Sequence, residues 1–178
     1  MKNLVFIAAF LYSIVASSQI FNPVKWEFES NKITDTEYEL VFTANIDLHW
    51  AVYSQFLDDG GPIPTGFTFE GNADYTLIEA VVESDENKVT KHDPVFEMTV
   101  SKFYDKAVFK QRVKLNGSTG LVKGSLEYMT CDDERCLPPT EVDFEFSLGE
   151  QSLVLGDSDE FSQILTPVKW EFTPIKVN

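Results

Sequence analysis

The feature that most restricts the fold of this 178-residue chain is a two-residue alternation of side-chain character. It is clearest over residues 38–46, where every second residue is apolar or aromatic: Tyr38, Leu40, Phe42, Ala44 and Ile46. A β-strand presents successive side chains on opposite faces, whereas an α-helix groups residues three or four apart. Because no stretch of ten or more residues combines a helical period with capping residues, the sequence predicts an all-β protein.

Seven other segments have strand character, which makes eight predicted strands. They are Val24–Phe28, Tyr38–Ile46, Trp50–Tyr53, Phe67–Phe69, Tyr75–Val82, Ala107–Leu115, Val122–Tyr128 and Val142–Leu148. Turn residues separate them at Asp58–Pro62 and at Asn116–Gly117, and we expect the second turn to close a hairpin. Many short strands joined by turns favour an antiparallel β-sandwich of the immunoglobulin-like type.

The first 18 residues are predicted to be a secretory signal peptide. Lys2 precedes an apolar run from Leu4 to Val15, and small residues follow that run. The run is too short to cross a bilayer, which needs about 20 apolar residues. We therefore expect cleavage near Gln19, a periplasmic or otherwise exported chain, and no membrane insertion once the signal has been removed.

Composition limits the partners and the number of domains. The formal net charge of −15 argues against nucleic acid as a partner, because phosphates repel an acidic surface. The 15 Phe and 3 Trp residues supply enough large apolar side chains for the core of one domain, which we place at residues 19–148. Residues 149–164 are polar and acidic and are predicted to form a linker.

An internal repeat stands near the end of the chain. The six residues Pro23–Phe28 recur letter for letter as Pro167–Phe172. Residues 165–178 are therefore predicted to be a partial repeat of the first strand, either as the start of a second copy of the domain or as a tail. Such a tail could pair with a sheet edge or exchange with the first strand.

The only two cysteines, Cys131 and Cys136, follow directly on a predicted strand. In an oxidising compartment two neighbouring thiols form a disulfide. The short loop that they close would stabilise the fold by only about 2 kcal/mol, and a bond at a surface turn is within reach of an attacking thiolate. The spacing therefore favours a redox pair, while a structural disulfide in a non-catalytic binding module stays open as the alternative.

The neighbours of the two cysteines bear on their chemistry. Residues 132–134 are all acidic and disfavour a thiolate, whereas Arg135 opposes them, so neither cysteine is expected to be a strongly acidic thiol. A third alternative is a metal site that adds His49 and His92 to the two sulfurs. The redox reading requires no cofactor.

The cysteine segment, with Tyr128 before it and Pro138–Pro139 after it, resembles the N-terminal periplasmic domain of the DsbD family of thiol:disulfide interchange proteins. Residues 48–54 resemble an early strand of that domain, and residues 91–97 resemble its loop before a long hairpin. The resemblance extends over residues 22–148. It implies an immunoglobulin-like domain that takes part in thiol–disulfide exchange.

The resemblance also implies partners. Reduced members of the family pass electrons to thioredoxin-like envelope proteins, namely disulfide isomerases and the thioredoxins of cytochrome c maturation. Their own electrons come from a membrane-linked donor. A chain of this kind would act as part of a protein-disulfide reductase relay.

Residue roles follow from the resemblance as well. Cys136 would form the mixed disulfide with a partner, and Cys131 would resolve it, although the spacer between them is one residue shorter than in the best-known members. The family covers its cysteines with a cap loop that carries an aromatic residue. Phe96 is the nearest candidate for that residue, with Phe103 and Tyr104 as alternatives. Three further residues are expected around the sulfurs: Asp93, Tyr53 and Tyr128.

Overall fold

A computed structural model describes residues 21–93 and 95–149, which form eleven strands. The strands are β1 (Val24–Lys32), β2 (Glu37–Ile46), β3 (Ala51–Tyr53), β4 (Gly66–Phe69), β5 (Tyr75–Glu83), β6 (Lys88–Asp93), β7 (Met98–Phe103), β8 (Lys106–Leu115), β9 (Gly120–Tyr128), β10 (Thr130–Cys131) and β11 (Thr140–Leu148). The predicted signal peptide, the linker beyond Gly149 and the second copy of the repeat lie outside these residues.

The prediction of an all-β fold is confirmed, but the number of strands was wrong. Each of the eight predicted strands is present, with ends that differ by a few residues. The sequence did not indicate β6, β7 and β10. Strand β6 is largely exposed and polar, and β10 has only two residues, so neither contains a detectable alternation.

The strands pair antiparallel in three sheets, with the orders β1-β2-β8-β5, β10-β3-β7-β6 and β11-β9-β4. The first and third sheets face each other across an aromatic core. Phe42 of β2 lies at its centre, with its ring centroid 4.9 Å from that of Phe67 and 4.9 Å from that of Phe144. Edge-to-face and tilted contacts of this kind add to the stabilisation that comes from burying the rings. The result is the predicted immunoglobulin-like β-sandwich.

The turn at Asn116–Gly117 does not close a hairpin, contrary to the prediction. Strand β8 pairs with β2 and β5, whereas β9 pairs with β11 and β4, so this turn carries the chain from one sheet to the other. Asn116 fixes the crossing point, because its backbone N–H donates to Asp74 O and its side-chain amide donates to Ala73 O. Those bonds direct the chain across the end of the sandwich.

The second sheet packs against the main core on one side and carries Cys131 on its edge strand β10. Its buried members Tyr53, Val100 and Cys131 form their own apolar cluster, which we call the cysteine cluster, while Val52 and Phe103 face the main core. One sheet therefore contributes to two packed regions. In the described part of the chain, no helix is long and apolar enough to cross a membrane.

Candidate redox site

The two cysteines are joined in a small disulfide-closed turn. Cys131 ends β10, where it lies opposite Ala51 of β3, and its sulfur is bonded to that of Cys136 at 2.01 Å. Backbone pairing continues past the bond, since Leu137 N–H donates to Thr130 O at 2.9 Å. The Thr130 hydroxyl also donates to Ala51 O at 2.9 Å, which ties the base of the turn to β3.

Asp132 and Arg135 organise the four residues between the cysteines. The Asp132 carboxylate accepts hydrogen bonds from the backbone N–H groups of Glu134 and Arg135. These bonds, aided by the Arg135 charge, hold the pKa of Asp132 below its ordinary value. The Arg135 guanidinium lies 5.8 Å from the ring centroids of Phe21 and of Trp50, so one flank of the turn rests on aromatic residues.

The two sulfur-bearing residues differ in exposure. Cys131 is buried, with 3% of its surface exposed, whereas Cys136 is half-buried. The partly buried residues that pack on the cysteine cluster are Leu57, Phe96, Met98, Met129 and Cys136. The disulfide is therefore covered more than expected for a bond at a surface turn, and Cys136 is its more exposed side.

Phe96 belongs to the segment between β6 and β7, whose described residues 95–97 we call the cap loop. Strands β6 and β7 form a hairpin in which Asp93 lies opposite Met98, and Glu97 reverses the chain with a φ of 54°. The Phe96 ring meets Tyr53 edge-on, with the centroids 6.1 Å apart. Tyr53 is thus a member of the cysteine cluster together with Cys131, and Phe96 and Cys136 both pack on that cluster.

The two alternatives to Phe96 lie elsewhere. Phe103 is fully buried in the main core, where its ring contacts Phe109. Tyr104 is half-buried and lies next to Lys91, whose ammonium is 5.2 Å from the ring centroid. Neither residue belongs to the cysteine cluster.

Asp93 lies buried at the end of β6, directly before the cap loop. Burial by itself would raise the pKa of Asp93, but hydrogen bonds from the Lys102 ammonium and from the backbone N–H groups of Val95 and Phe96 outweigh it, and the pKa is lowered. Burial raises the pKa of the Tyr53 hydroxyl well above its usual range, and the negative charge of Asp93 adds to that effect. At neutral pH Asp93 is ionised and Tyr53 is not.

Tyr128 is not brought to the cysteines. It belongs to the main core, where its ring centroid lies 5.4 Å from that of Trp26, and burial raises the pKa of its hydroxyl. His49 and His92 are both exposed. Within residues 21–93 and 95–149, no three His, Cys, Asp or Glu side chains are grouped so that they could hold a metal ion.

Lys102, which was not among the residues predicted for the site, contacts Asp93 with its ammonium 2.9 Å from Oδ2. The sequence does contain a pattern that points to this lysine. Met98, Val100 and Lys102 occupy every second position of β7, so the lysine shares a face with an apolar residue. A lysine on a buried face needs an acidic partner, and that need points to a nearby carboxylate.

The chain is similar to one known family of proteins. The profile of the family described as "Thiol:disulfide interchange protein DsbD, N-terminal" matches residues 18–148. None of the curated proteins compared with the chain is significantly similar to it.

The solved structures that are similar to the chain include the following two N-terminal domains. The N-terminal domain of DsbD from Neisseria meningitidis in the reduced form is 16% identical, with a TM-score of 0.49, over 72% of this chain and 90% of that chain. The N-terminal periplasmic domain of ScsB from Proteus mirabilis is 11% identical, with a TM-score of 0.51, over 72% of this chain and 47% of that chain. The likeness to ScsB supports the fold alone.

The family match and the Cys131–Cys136 bond together support a thiol–disulfide exchange domain. Because the family profile covers well over half of the sequence, including both cysteines, the chain belongs to the family of DsbD N-terminal domains.

Proposed function

We propose that this domain is exported and passes reducing equivalents to thioredoxin-like proteins of the cell envelope through Cys131 and Cys136. One observation carries the proposal. Within the family fold, the two cysteines form a bond that is buried on the Cys131 side and half-exposed on the Cys136 side. A partner thiol or disulfide can therefore reach the Cys136 sulfur, whereas the Cys131 sulfur is shielded from direct contact.

The exchange conserves electrons without a cofactor. In the reduced domain the Cys136 thiolate attacks one sulfur of the partner's disulfide, and the partner's other sulfur leaves as a thiolate. The Cys131 thiolate then attacks the Cys136 sulfur, and the first partner sulfur leaves in turn. The partner has gained two electrons and the domain is left with the Cys131–Cys136 bond. A dithiol donor reverses these steps and restores the reduced domain.

The surroundings of the cysteines support a gated reaction. Phe96, Met98 and Cys136 all pack on the cysteine cluster, and the Phe96 ring lies against that of Tyr53. Burial of the sulfurs beneath this loop would limit their reaction with small oxidants until a partner displaces it. We assign Phe96 the shielding role, with Tyr53 as the surface on which its ring rests.

A trapping experiment tests the exchange. In a Cys131→Ala variant the resolving thiol is missing, so Cys136 should accumulate mixed disulfides with envelope proteins of thioredoxin type. These species are detected as bands on non-reducing gels that disappear with reductant, and mass spectrometry identifies the partners. The Cys136→Ala variant is the matched control, because its remaining Cys131 is buried, and it should trap far less.

The reduction potential supplies an independent check. Structural disulfides of secreted proteins typically lie below about −300 mV, whereas exchange-competent pairs lie higher. A potential in the structural range, combined with no trapped species from either single variant, would show that the bond only fastens the turn. The domain would then be a binding module and not a redox protein.

A further inference from the structure

A buried ion pair lies beside the cap loop, at the junction of β6 and β7. Asp93 is the last residue of β6, and Lys102 is near the end of β7. Their side chains are only 3% and 7% exposed, and Lys102 Nζ lies 2.9 Å from Asp93 Oδ2. The exchange chemistry described above makes no use of this pair.

The Asp93 carboxylate links two parts of the structure. One oxygen, Oδ2, accepts from Lys102 on β7, and the other, Oδ1, accepts from the backbone N–H of Val95 at 2.9 Å. Val95 immediately precedes Phe96 in the cap loop. The carboxylate thus fixes the backbone from which the Phe96 ring extends toward Tyr53.

Lys102 is itself held from two sides. Its ammonium lies 5.9 Å from the ring centroid of Tyr53 and 5.8 Å from that of Tyr104. Tyr53 is the ring on which Phe96 rests, so one lysine contacts both the carboxylate that anchors the loop and the surface that receives its aromatic residue. Asp93, Lys102, Tyr53 and Phe96 form a continuous set of contacts.

Stability alone is a poor explanation for such a pair. Apolar side chains of similar volume often stabilise a protein as well as a buried ion pair does, because two charges must be desolvated. What an ion pair adds is a fixed orientation of the carboxylate. Because one oxygen of Asp93 faces Lys102, the other can accept a hydrogen bond from only one part of the loop backbone. Removal of the lysine leaves a buried carboxylate that gains solvent by opening the loop.

We propose that Asp93 and Lys102 are positioning residues that hold the cap loop closed, so that Phe96 covers the Cys131–Cys136 bond. The proposal rests on the proposed function for its purpose, which is to protect the redox pair between encounters. A partner protein has to displace a loop that is secured by this pair.

The test measures how fast dithiothreitol, a small dithiol that attacks as its thiolate, opens the Cys131–Cys136 bond in the full chain. The Lys102→Met variant keeps the length of the side chain and removes its charge. The open state of such a two-state loop is typically about 0.1–10% populated, so we expect reduction to become faster on the order of tenfold. Aliquots alkylated during the reaction and weighed by mass spectrometry give the rate.

A double variant separates positioning from general loosening. If Lys102 acts through Phe96, then Lys102→Met combined with Phe96→Ala should be reduced no faster than Phe96→Ala alone. The matched control is Lys88→Met, which removes the lysine from another buried carboxylate, that of Glu83, at the opposite end of β6. This control should lower the melting temperature and leave the reduction rate unchanged.

Several outcomes would overturn the assignment. The reduction rate could be unchanged in Lys102→Met or in Phe96→Ala. It could also rise as much in Lys88→Met as in Lys102→Met, or the double variant could be accelerated by the product of the two single accelerations, as independent effects would be. Should Lys102→Met fail to fold, Asp93→Asn replaces it with the same expectations. If the reduced domain reduces no thioredoxin-like protein and none of them reduces its disulfide, but Lys102→Met still speeds opening by dithiothreitol, the proposed function fails and the positioning role stands.

Discussion

At the scale of single residues, the ionisation of Asp93 controls much of the local structure. Its carboxylate is buried, accepts from Lys102 and Val95, and has a pKa below the ordinary value of 3.8. A group with a lowered pKa in the folded state stabilises that state most above its ordinary pKa. The stabilisation is lost as the pH falls from 3.8 through the lowered folded-state pKa.

This linkage predicts how an Asp93→Asn variant behaves. At pH 7 we expect the variant to lose about 3 kcal/mol of unfolding free energy, because Lys102 is left buried without its charged partner. Below pH 3.8 the difference from the unmodified protein should shrink, since protonation removes the same charge. Urea unfolding at a series of pH values measures this difference.

The exposed Asp143→Asn on β11 is the control for that experiment. It should leave the free energy of unfolding nearly unchanged at every pH. A loss in Asp93→Asn that stays constant from pH 7 to below 3.8 would contradict the lowered pKa. The buried carboxylate would then contribute through its shape and not through its charge.

Residues of the site differed in how well the sequence predicted them. Cys131 and Cys136 were identified because cysteine is rare in the chain and their spacing is short, and their bond is present. The roles assigned to Phe96, Asp93 and Tyr53 stay predictions. Lys102 was missed because its partner lies nine positions away across a hairpin, and the strand that contains it had not been recognised.

At the scale of secondary-structure elements, β9 lies between β11 and β4 in the third sheet and requires a small residue at Gly124. A Cβ atom at this position would overlap the carbonyl oxygen of Thr68 on β4 and the ring of Phe144 on β11. Neither the backbone nor a core ring can move aside cheaply. Gly124 therefore sets the spacing of β9, the strand that precedes Cys131 in the chain, from β4 and β11.

We predict that Gly124→Ala destabilises the domain by about 1–3 kcal/mol, the usual cost of overpacking a well-packed site. The matched control is Gly66→Ala on the neighbouring strand β4, where an added Cβ meets nothing within 4 Å. The midpoints of urea unfolding should fall clearly for the first variant and little for the second. Equal midpoints for the two would show that β4 yields to the added methyl group.

Strand prediction succeeded where alternation reports burial on one face, as in β2 and β8. It failed for β6, since an exposed edge strand has no apolar face to produce the pattern. The turn at Asn116–Gly117 was misassigned for another reason. Its sequence suits a hairpin, but the choice of partner strands depends on the core between the sheets, and a local dipeptide carries no information about that.

At the scale of the whole molecule, we expect the fold to form without its disulfide. The aromatic core between the first and third sheets contains neither cysteine, and the bond closes only a short loop. We predict that a Cys131→Ala/Cys136→Ala double variant folds, with an unfolding free energy lower by at most about 2 kcal/mol. Far-UV circular dichroism and a cooperative thermal transition are the measurements.

An unfolded double variant would show that the bond is a structural requirement, which argues against a pair that opens and re-forms in use. Reduction of the unmodified protein supplies the second arm of the experiment. It should shift the transition by about the same amount as the two substitutions, because both release the same loop.

The separation of the cysteine cluster from the main core has a consequence for the history and engineering of such domains. The residues that we propose to meet a partner lie in one small sheet and its loops, whereas the large aromatic core lies between the other two sheets. Substitutions that change the choice of partner can thus accumulate on that face with little effect on the free energy of unfolding. The domain is therefore suited to loop grafting, in which the cap loop and the cysteine turn of one such domain are placed on the β-sandwich of another.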